Sequence, residues 1–357
     1  LSDSFKQYGL RVISGRERGV RAALMRAGLA AASPIYGLVT QLRNSKFDRG
    51  IGIRRLPRPV VSVGNITTGG TGKTPVVRWL CERLREAGER PAVLMRGYGA
   101  RNGERGDEQA MLEGLLNQGG GAPPVIVQAE ADRYAGGVAM LGAQADVSVF
   151  VMDDGFQHRR LGRDFDLVLL DASEPFGFGR VLPRGLLREP LGSLRRASAV
   201  LVTRADQGDV EAIAKRVREF NAVAPVFRCT HAHVGFRSSE DVRHRADALS
   251  GMRVFLFAGI GNPEGFGRQF PGHVGHLWFG DHWDYEREDL ERIQAEAKRA
   301  GAEVIVTTEK DWVKIAPLVE VGVGIPIWRA ELAVRFEGAD EGELFQLIHG
   351  CLKKGRA

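Results

Sequence analysis

The sequence predicts an α/β fold: a P-loop-type three-layer α/β/α nucleotide-binding domain, a second smaller α/β domain, and an N-terminal hydrophobic and basic helical segment. Three observations carry this expectation. An apolar, β-branched run, VVSVGN, leads into the glycine-rich stretch ITTGGTG and then into Lys73-Thr74 at the head of an amphipathic helix. A second apolar run, DVSVFVM, ends in the paired acids Asp153 and Asp154. Strand-like and helix-like stretches alternate along most of the chain, the pattern of a parallel sheet covered on both faces. The expected divisions are residues 1–50 for the helical segment, 51–228 for the P-loop domain, 229–250 for linker strands or a hairpin, and 251–357 for the second domain. The last helix could pack back on the first domain.

With 357 residues, 43% of them hydrophobic, the chain can bury a large core, and its length favours two domains. Cys81, Cys229 and Cys351 are scattered and odd in number, which argues for a reducing compartment and against a disulfide scaffold or a cysteine-ligated zinc site. The net charge of +6 is localised. Residues 1–60 hold twelve Lys/Arg against Asp3, Glu17 and Asp48, a net of +9, leaving −3 for the remainder.

Within that basic segment, the stretch around Ala27 to Val39 has no signal-peptide layout and reads as too short, and too interrupted by Pro34, to span a bilayer. Leu24, Met25, Leu29, Ile35, Tyr36, Leu38, Val39 and Leu42 could lie on a membrane with flanking Arg and Lys toward anionic headgroups. An ordinary helix pair packed on the core fits the same residues. Nucleic-acid binding is not expected, because no zinc-finger, RNP-like or helix-turn-helix signature accompanies the charge.

The strand, glycine-rich turn and helix at 60–87 form the context in which a phosphate-binding loop works. Thr67, Thr68, Gly69, Gly70, Thr71 and Gly72 would curl their amides around phosphate oxygens at a helix N-terminus. Lys73 would add a positive charge for the β/γ-phosphates and Thr74 a hydroxyl for magnesium. Thr67 departs from the usual glycine at that place in G-x-x-x-x-G-K-T, a departure that the doubled Gly69-Gly70 could offset. Asp153 and Asp154, at the carboxyl end of a central strand, are the expected carboxylates for the same metal.

Beyond the P-loop helix, PAVLMRGYG reads as a strand ending in a turn, ERGDEQAMLEGLL as a turn and helix, PPVIVQ as a strand and ADRYAGGVAMLGAQ as a helix. DFDLVLLD and ASAVLVTRAD are further buried strands, separated by an arginine-rich Pro/Gly connection from Ser173 to Arg196 that could be a lid over phosphates or merely solvated. Thr230 to Leu249 is polar and weakly patterned, and His231 with His233 lacks a third ligand for a metal. MRVFLFAGIGNPEGF restarts an α/β unit, but Glu264 spoils a G-x-G-x-x-G match, so no Rossmann dinucleotide site is expected. HVGHLWFGDHWDY, the helix at REDLERIQAEAKRA, the strand EVIVTT, the acidic-basic turn Glu309-Lys310-Asp311, the strand PIWRAELAV and a final helix EGELFQLIHGCLKK complete the pass.

Taken together, SVGNITTGGTGKTP, LMRGYG, GDE, FVMDDGFQHR, LPRGLLREP, FAGIGNPEGF, DHWDY and VTTEKDWVK resemble the tetraacyldisaccharide 4′-kinase family of the lipid A pathway, in the family's order and from about Pro34 to Ile315. That family's P-loop also begins with Ser or Thr, so Thr67 becomes part of the resemblance. The resemblance implies ATP and Mg2+ as cofactors and lipid A disaccharide 1-phosphate as substrate. It also implies a peripheral or monotopic enzyme on the cytoplasmic side of the bacterial inner membrane, without an obligate protein partner. It implies that Asp107 acts as base on the acceptor hydroxyl with His282 as its partner, alongside Lys73. It also puts Arg96, Glu108, Arg133, Gln157, His158, Arg188 and Glu189 at the substrate or lid. On the residues alone, GDE could equally be a helix cap, and His282 a packing or surface histidine.

Rival classes leave parts of the sequence idle. A GTPase would carry N-K-x-D where this chain reads Thr203-Arg204-Ala205-Asp206. A dethiobiotin-synthase-like or metallochaperone protein, or another P-loop kinase or ligase, would explain the first half but not the DHWDY and TEKDWVK blocks. A membrane adaptor would leave the P-loop without a use.

Overall fold

The computed structural model describes residues 3–97, 107–117, 123–281 and 283–354; within these, side chains are described from residue 8 in the first stretch and from residue 109 in the second. The chain forms two compact units, residues 1–231 with 334–357, and residues 232–333.

In the first unit, helices α1 (Asp3–Ile13) and α2 (Val20–Asp48) precede β1 (Val60–Asn65), α3 (Lys73–Glu86), β2 (Pro91–Met95), α4 (Asp107–Leu116), β3 (Ile126–Ala129), α5 (Arg133–Ala143), β4 (Val149–Asp153), β5 (Phe165–Asp171), β6 (Ala199–Thr203), α6 (Val210–Arg218) and the start of β7 (Val226–Ser238), whose residues from 232 belong to the second unit. The sheet order is β7-β6-β5-β1-β4-β2-β3, with parallel pairing throughout. β1 therefore lies between β4 and β5, and the loops leaving these three strands gather at one carboxyl edge, where open α/β sheets bind ligands. Two faces are buried. Leu167 and Leu169 of β5 join Val76, Leu80 and Leu84 of α3, whereas Val168 and Leu170 join Ile213 and Val217 of α6. This alternation, at a side-chain period of two, is what a three-layer arrangement demands of a central strand.

The second unit contains β8 (Arg243–Arg245), β9 (Val254–Ala258), α7 (Pro263–Gly267), β10 (Gly275–Trp278), α8 (Arg287–Arg299), β11 (Val304–Thr308), α9 (Glu309–Ile315) and most of β12 (Ile327–Phe336). β10, β9, β11 and β12 pair in that order, all parallel. β8 pairs antiparallel with the Gly235–Arg237 part of β7. The last helix, α10 (Asp340–Lys354), belongs to the first unit, where Leu344, Ile348 and Leu352 enter the α3 cluster and Trp79 Nε1 donates to Glu341 at 2.9 Å.

Two local expectations change. α2 is one helix of 29 residues, about 44 Å at 1.5 Å per residue, and it runs through Pro34 without a break. Proline forfeits one intrahelical bond, which a long helix tolerates, so this helix is long and apolar enough to cross a membrane rather than too short. The Glu309-Lys310-Asp311 turn is the first turn of α9, capped by Thr308, whose hydroxyl accepts from the Asp311 amide at 3.2 Å. The polar stretch after Thr230 continues β7, in which Phe227 and Cys229 are buried at alternate positions, and turns back in β8, in keeping with strands or a hairpin there.

α2 is also inverted relative to an ordinary packed helix. Its buried residues are Ala22, Ser33, Thr40, Asn44 and Phe47, while Val20, Leu24, Ile35, Leu38, Val39 and Leu42 are 56–76% exposed. The polar face is buried because it is used. Ser33 Oγ donates to Val181 O at 2.6 Å, Tyr36 Oη to Arg188 O at 3.0 Å, and Asn44 Nδ2 to Glu189 at 2.8 Å.

Candidate active site

The loop between β1 and α3 is shaped before any ligand is considered. Gly69 and Gly72 adopt φ of +125° and +75°, values that L side chains rarely take, and Gly72 is the residue from which α3 starts. Thr67 is not among the positive-φ residues. It forms an isolated antiparallel bridge with Leu187, in which Thr68 N donates to Leu186 O at 2.7 Å and Arg188 N to Ile66 O at 2.8 Å. A threonine is therefore compatible at a place where the common motif has glycine.

Lys73 leaves the first turn of α3 and reaches back over this loop. Its Nζ donates to Asn65 Oδ1 at 3.2 Å and lies 3.3 Å from Asp154 Oδ1. Arg188 Nη1 donates to the same carboxylate at 2.8 and 3.0 Å and to Gln157 Oε1 at 3.4 Å, and Gln157 Nε2 donates to Asn65 O at 2.9 Å. Burial acts to raise the Asp154 pKa, but Lys73 and Arg188 outweigh it and hold the carboxyl below its ordinary range. Asp154 is thus an anion between two cations, in a left-handed backbone conformation (φ 49°) just past the end of β4.

Asp153, the last residue of β4, offers its backbone oxygen to Arg133 Nη2 at 3.2 Å. Arg133 Nη1 also lies 3.2 Å from His158 Nδ1. Burial, then the charges of Arg133 and Arg163, push the His158 pKa down to about 4, so the ring is neutral and accepts at that nitrogen. Glu189 is fully buried, bound by Asn44 and by Arg196 Nη2, the latter also at 2.8 Å; it holds α2 to the arginine-rich loop.

In the second unit, a single carboxylate joins three of the motifs singled out in the sequence. Asp311 Oδ1 accepts from Gly259 N at 3.0 Å and from Tyr285 Oη at 2.9 Å, and Oδ2 accepts from Thr308 Oγ1 at 2.7 Å. The G-I-G-N turn, the D-H-W-D-Y block and the T-E-K-D-W block are therefore one construction. Burial raises the Asp311 pKa despite these donors.

Lys73, Asp154, Gln157 and Arg188 are brought into one hydrogen-bonded cluster, and Arg133, His158 and Asp153 into a second. Arg96 is exposed just beyond β2. Thr74 stands in the first turn of α3. Asp107 and Glu108 open α4, but their side chains, like the whole of His282, lie outside the described residues.

Residues 25–352 match the family described as Tetraacyldisaccharide-1-P 4′-kinase. The "Tetraacyldisaccharide 4′-kinase" of Geobacter sulfurreducens is 37% identical over 349 residues, covering 91% of this chain and 94% of that protein. The protein of the same description from Syntrophus aciditrophicus is 38% identical over 355 residues, covering 90% and 92%. The crystal structure of LpxK from Aquifex aeolicus in complex with ATP aligns with 92% of this chain and 99% of that one, at a TM-score of 0.73 and 28% identity. This chain belongs to the tetraacyldisaccharide 4′-kinase family. The fold is that of an ATP-binding kinase, with the phosphate loop at the centre of its first unit.

For this family member, several residues that the sequence did not single out support the site. Asn65 anchors both Lys73 and the loop, through Nδ2 to Thr67 O at 2.8 Å. Its only sequence signal is its place at the last position of the strand before the glycine-rich turn. Asn44 and Ser33 tie α2 to the arginine-rich loop, their signal being polar residues in an otherwise oily helix, and Tyr36, which the sequence placed on the oily surface, joins them through its hydroxyl.

Proposed function

We infer that this chain transfers the γ-phosphoryl group of ATP to the 4′-hydroxyl of tetraacyldisaccharide 1-phosphate, giving lipid IVA and ADP in lipid A biosynthesis. The observation that carries the inference is the Lys73–Asp154–Arg188 cluster at the mouth of the phosphate loop, in a chain that matches the family over residues 25–352. Phosphoryl transfer requires charge compensation and alignment more than covalent chemistry. The loop amides and the Lys73 ammonium supply positive potential for the phosphates, and Asn65 fixes where that ammonium stands. The acceptor oxygen bonds to the γ-phosphorus, the bond from that phosphorus to the β,γ-bridging oxygen breaks, and the hydroxyl proton passes to Asp107, aided by His282. Arg188 and Arg133 would meet the anionic groups of the acceptor.

Thr74, Asp153 and Asp154 would offer a metal only oxygen donors. That suits Mg2+, which binds through one or two carboxylates plus substrate phosphates. Magnesium would neutralise charge on the phosphates when bound. The exposed apolar face of α2 supports peripheral or monotopic attachment to the cytoplasmic face of the inner membrane, where the acyl chains of the acceptor remain in the bilayer.

The test is transfer of label from γ-labelled ATP to the lipid, with the position of the new phosphate established by fragmentation mass spectrometry. Label on the 4′-oxygen is expected, and absence of transfer to this acceptor would reject the assignment. Asp107→Asn and His282→Ala should each lower kcat with little change in ATP affinity, and the double variant should fall short of the product of the two effects.

A further inference from the structure

Beside the phosphate loop, on the side away from Asp154, a second set of residues grips the backbone of the loop itself. β5 ends at Asp171 and β6 at Thr203, and these two residues are partners in the parallel ladder. Thr203, fully buried, donates through Oγ1 to Thr71 O at 3.0 Å. Arg204, the next residue, donates through Nη1 to Gly70 O at 3.1 Å and pairs with Asp171 Oδ2. Asp171 is in turn fixed through Oδ1 by Ser173, whose amide and hydroxyl donate at 3.0 and 2.7 Å. Arg204 takes a left-handed backbone conformation, φ 50° and ψ 44°, which is costly for a residue with a side chain and persists only where its surroundings hold it. The imidazole of His231 fills the space where residue 72 would carry a side chain, so that a Cβ on Gly72 would stand 2.1 Å from His231 Cε1.

The geometry gives these contacts a direction. In a trans peptide, the carbonyl of one residue and the N–H of the next point opposite ways. Bonds that hold the Gly70 and Thr71 carbonyls toward β6 aim the Thr71 and Gly72 amides to the other side, into the loop. If either peptide flipped, a carbonyl oxygen would face the bound phosphates and repel them. A glycine-rich loop flips easily because glycine restricts its backbone so little. Arg204 opposes this with a charge-assisted bond, stronger than a neutral one.

We propose that Arg204, oriented by Asp171 and assisted by Thr203, is a positioning residue that sets the peptide orientation of the phosphate loop, acting on the phosphates of ATP and not on its base. The proposal deepens the kinase reading and rests on the loop's binding of ATP phosphates. Arg204 occupies the second position of the T-R-A-D tetrapeptide, where a GTPase would read its base, which makes the distinction between base and phosphate the informative one.

The experiment measures binding of Mg·ATP and of Mg·tripolyphosphate, which has no base, to the full chain by titration calorimetry, together with steady-state kinetics. Arg204→Met should raise Kd about tenfold for both ligands, and KM for ATP in parallel, with a smaller change in kcat at saturating ATP. Arg204→Lys, which keeps a charged donor, should recover most of the loss. Thr203→Val, which removes the hydroxyl at constant shape, should raise Kd for both ligands about threefold, and serves as the independent test if Arg204→Met does not fold. Unchanged affinity in a folded Arg204→Met or Thr203→Val protein overturns the proposal. So does a loss confined to ATP, which would assign Arg204 to the base. Wild-type protein that bound neither ligand would overturn the kinase reading itself.

Discussion

The phosphate loop and α2 treat polar and apolar groups in opposite ways. At the loop, every residue of β1 is buried, and the paired charges, Lys73 with Asp154 and Asp154 with Arg188, stand about 3 Å apart. On α2, the polar residues are buried and the large apolar ones face outward. The first arrangement pairs its described charges within the chain. The second leaves apolar surface that nothing in the described chain covers, while its polar side chains hold the loop that carries Arg188. The proposed chemistry and the proposed membrane contact thus fall in separate parts of the first unit, linked by the Val181–Arg196 segment.

The largest effect should come from breaking the loop. Lys73→Ala removes the cation proposed to meet the phosphates, and kcat should fall by about a thousandfold or more. Flotation with anionic vesicles should be unchanged; a variant that lost both properties would mean that the two regions are not separate. Asp154→Asn deletes the anion that both Lys73 and Arg188 contact, and kcat/KM should drop by about a hundredfold.

Breaking the helix should give the reverse pattern. Replacing Ile35, Leu38, Val39 and Leu42 with serine removes four exposed apolar side chains, each worth about 1 kcal/mol on entering an apolar interface, so vesicle partition should weaken by about a thousandfold. High salt should weaken wild-type attachment without abolishing it, because screening reaches the arginines and leaves the apolar contribution. The polar face sharpens the contrast. Asn44→Ala leaves the buried Glu189 carboxylate without one donor, which should lower stability by about 1–3 kcal/mol in denaturant titration, with vesicle binding retained.

The smallest effect concerns pH. An unfolded histidine titrates near 6.5, whereas burial and neighbouring arginines hold His158 at about 4. Between these values the unfolded chain takes up a proton that the folded chain refuses, so this contribution to stability is full above 6.5 and declines as pH falls toward 4. His158→Gln should make the dependence of Tm on pH shallower across that window without abolishing it, because burial also holds His231 and His233 at about 4.

The strands were readable because central parallel strands are continuous apolar runs, as in VVSVGN and DLVLL, and the loop was readable because glycine, lysine and threonine stand at fixed offsets before a helix. Pro34 misled because it marks a lost hydrogen bond, and a 29-residue helix survives that loss. The supporting residues were not legible. Asp171, Thr203 and His231 act through contacts between segments far apart in sequence, and such contacts leave no spacing to detect, whereas Asn65 acts on Lys73 and Thr67 within its own loop, without a recognised motif position of its own. Thr203-Arg204 stood out only for lacking a guanine signature; its hydrogen bonds to the loop carbonyls appear only when β5 and β6 are laid beside β1.

The central claim, that the loop performs the transfer and α2 brings it to the lipid, is tested most directly by following label from γ-labelled ATP into tetraacyldisaccharide 1-phosphate, presented either in detergent micelles or in anionic vesicles. Wild type, Lys73→Ala and the four-serine variant of α2 are compared in both. The account predicts that Lys73→Ala fails in both, and that the four-serine variant works within about twofold of wild type in detergent and loses about tenfold or more in kcat/KM on vesicles. Equal activity of the four-serine variant and wild type on vesicles, or near-normal transfer by Lys73→Ala, would contradict it.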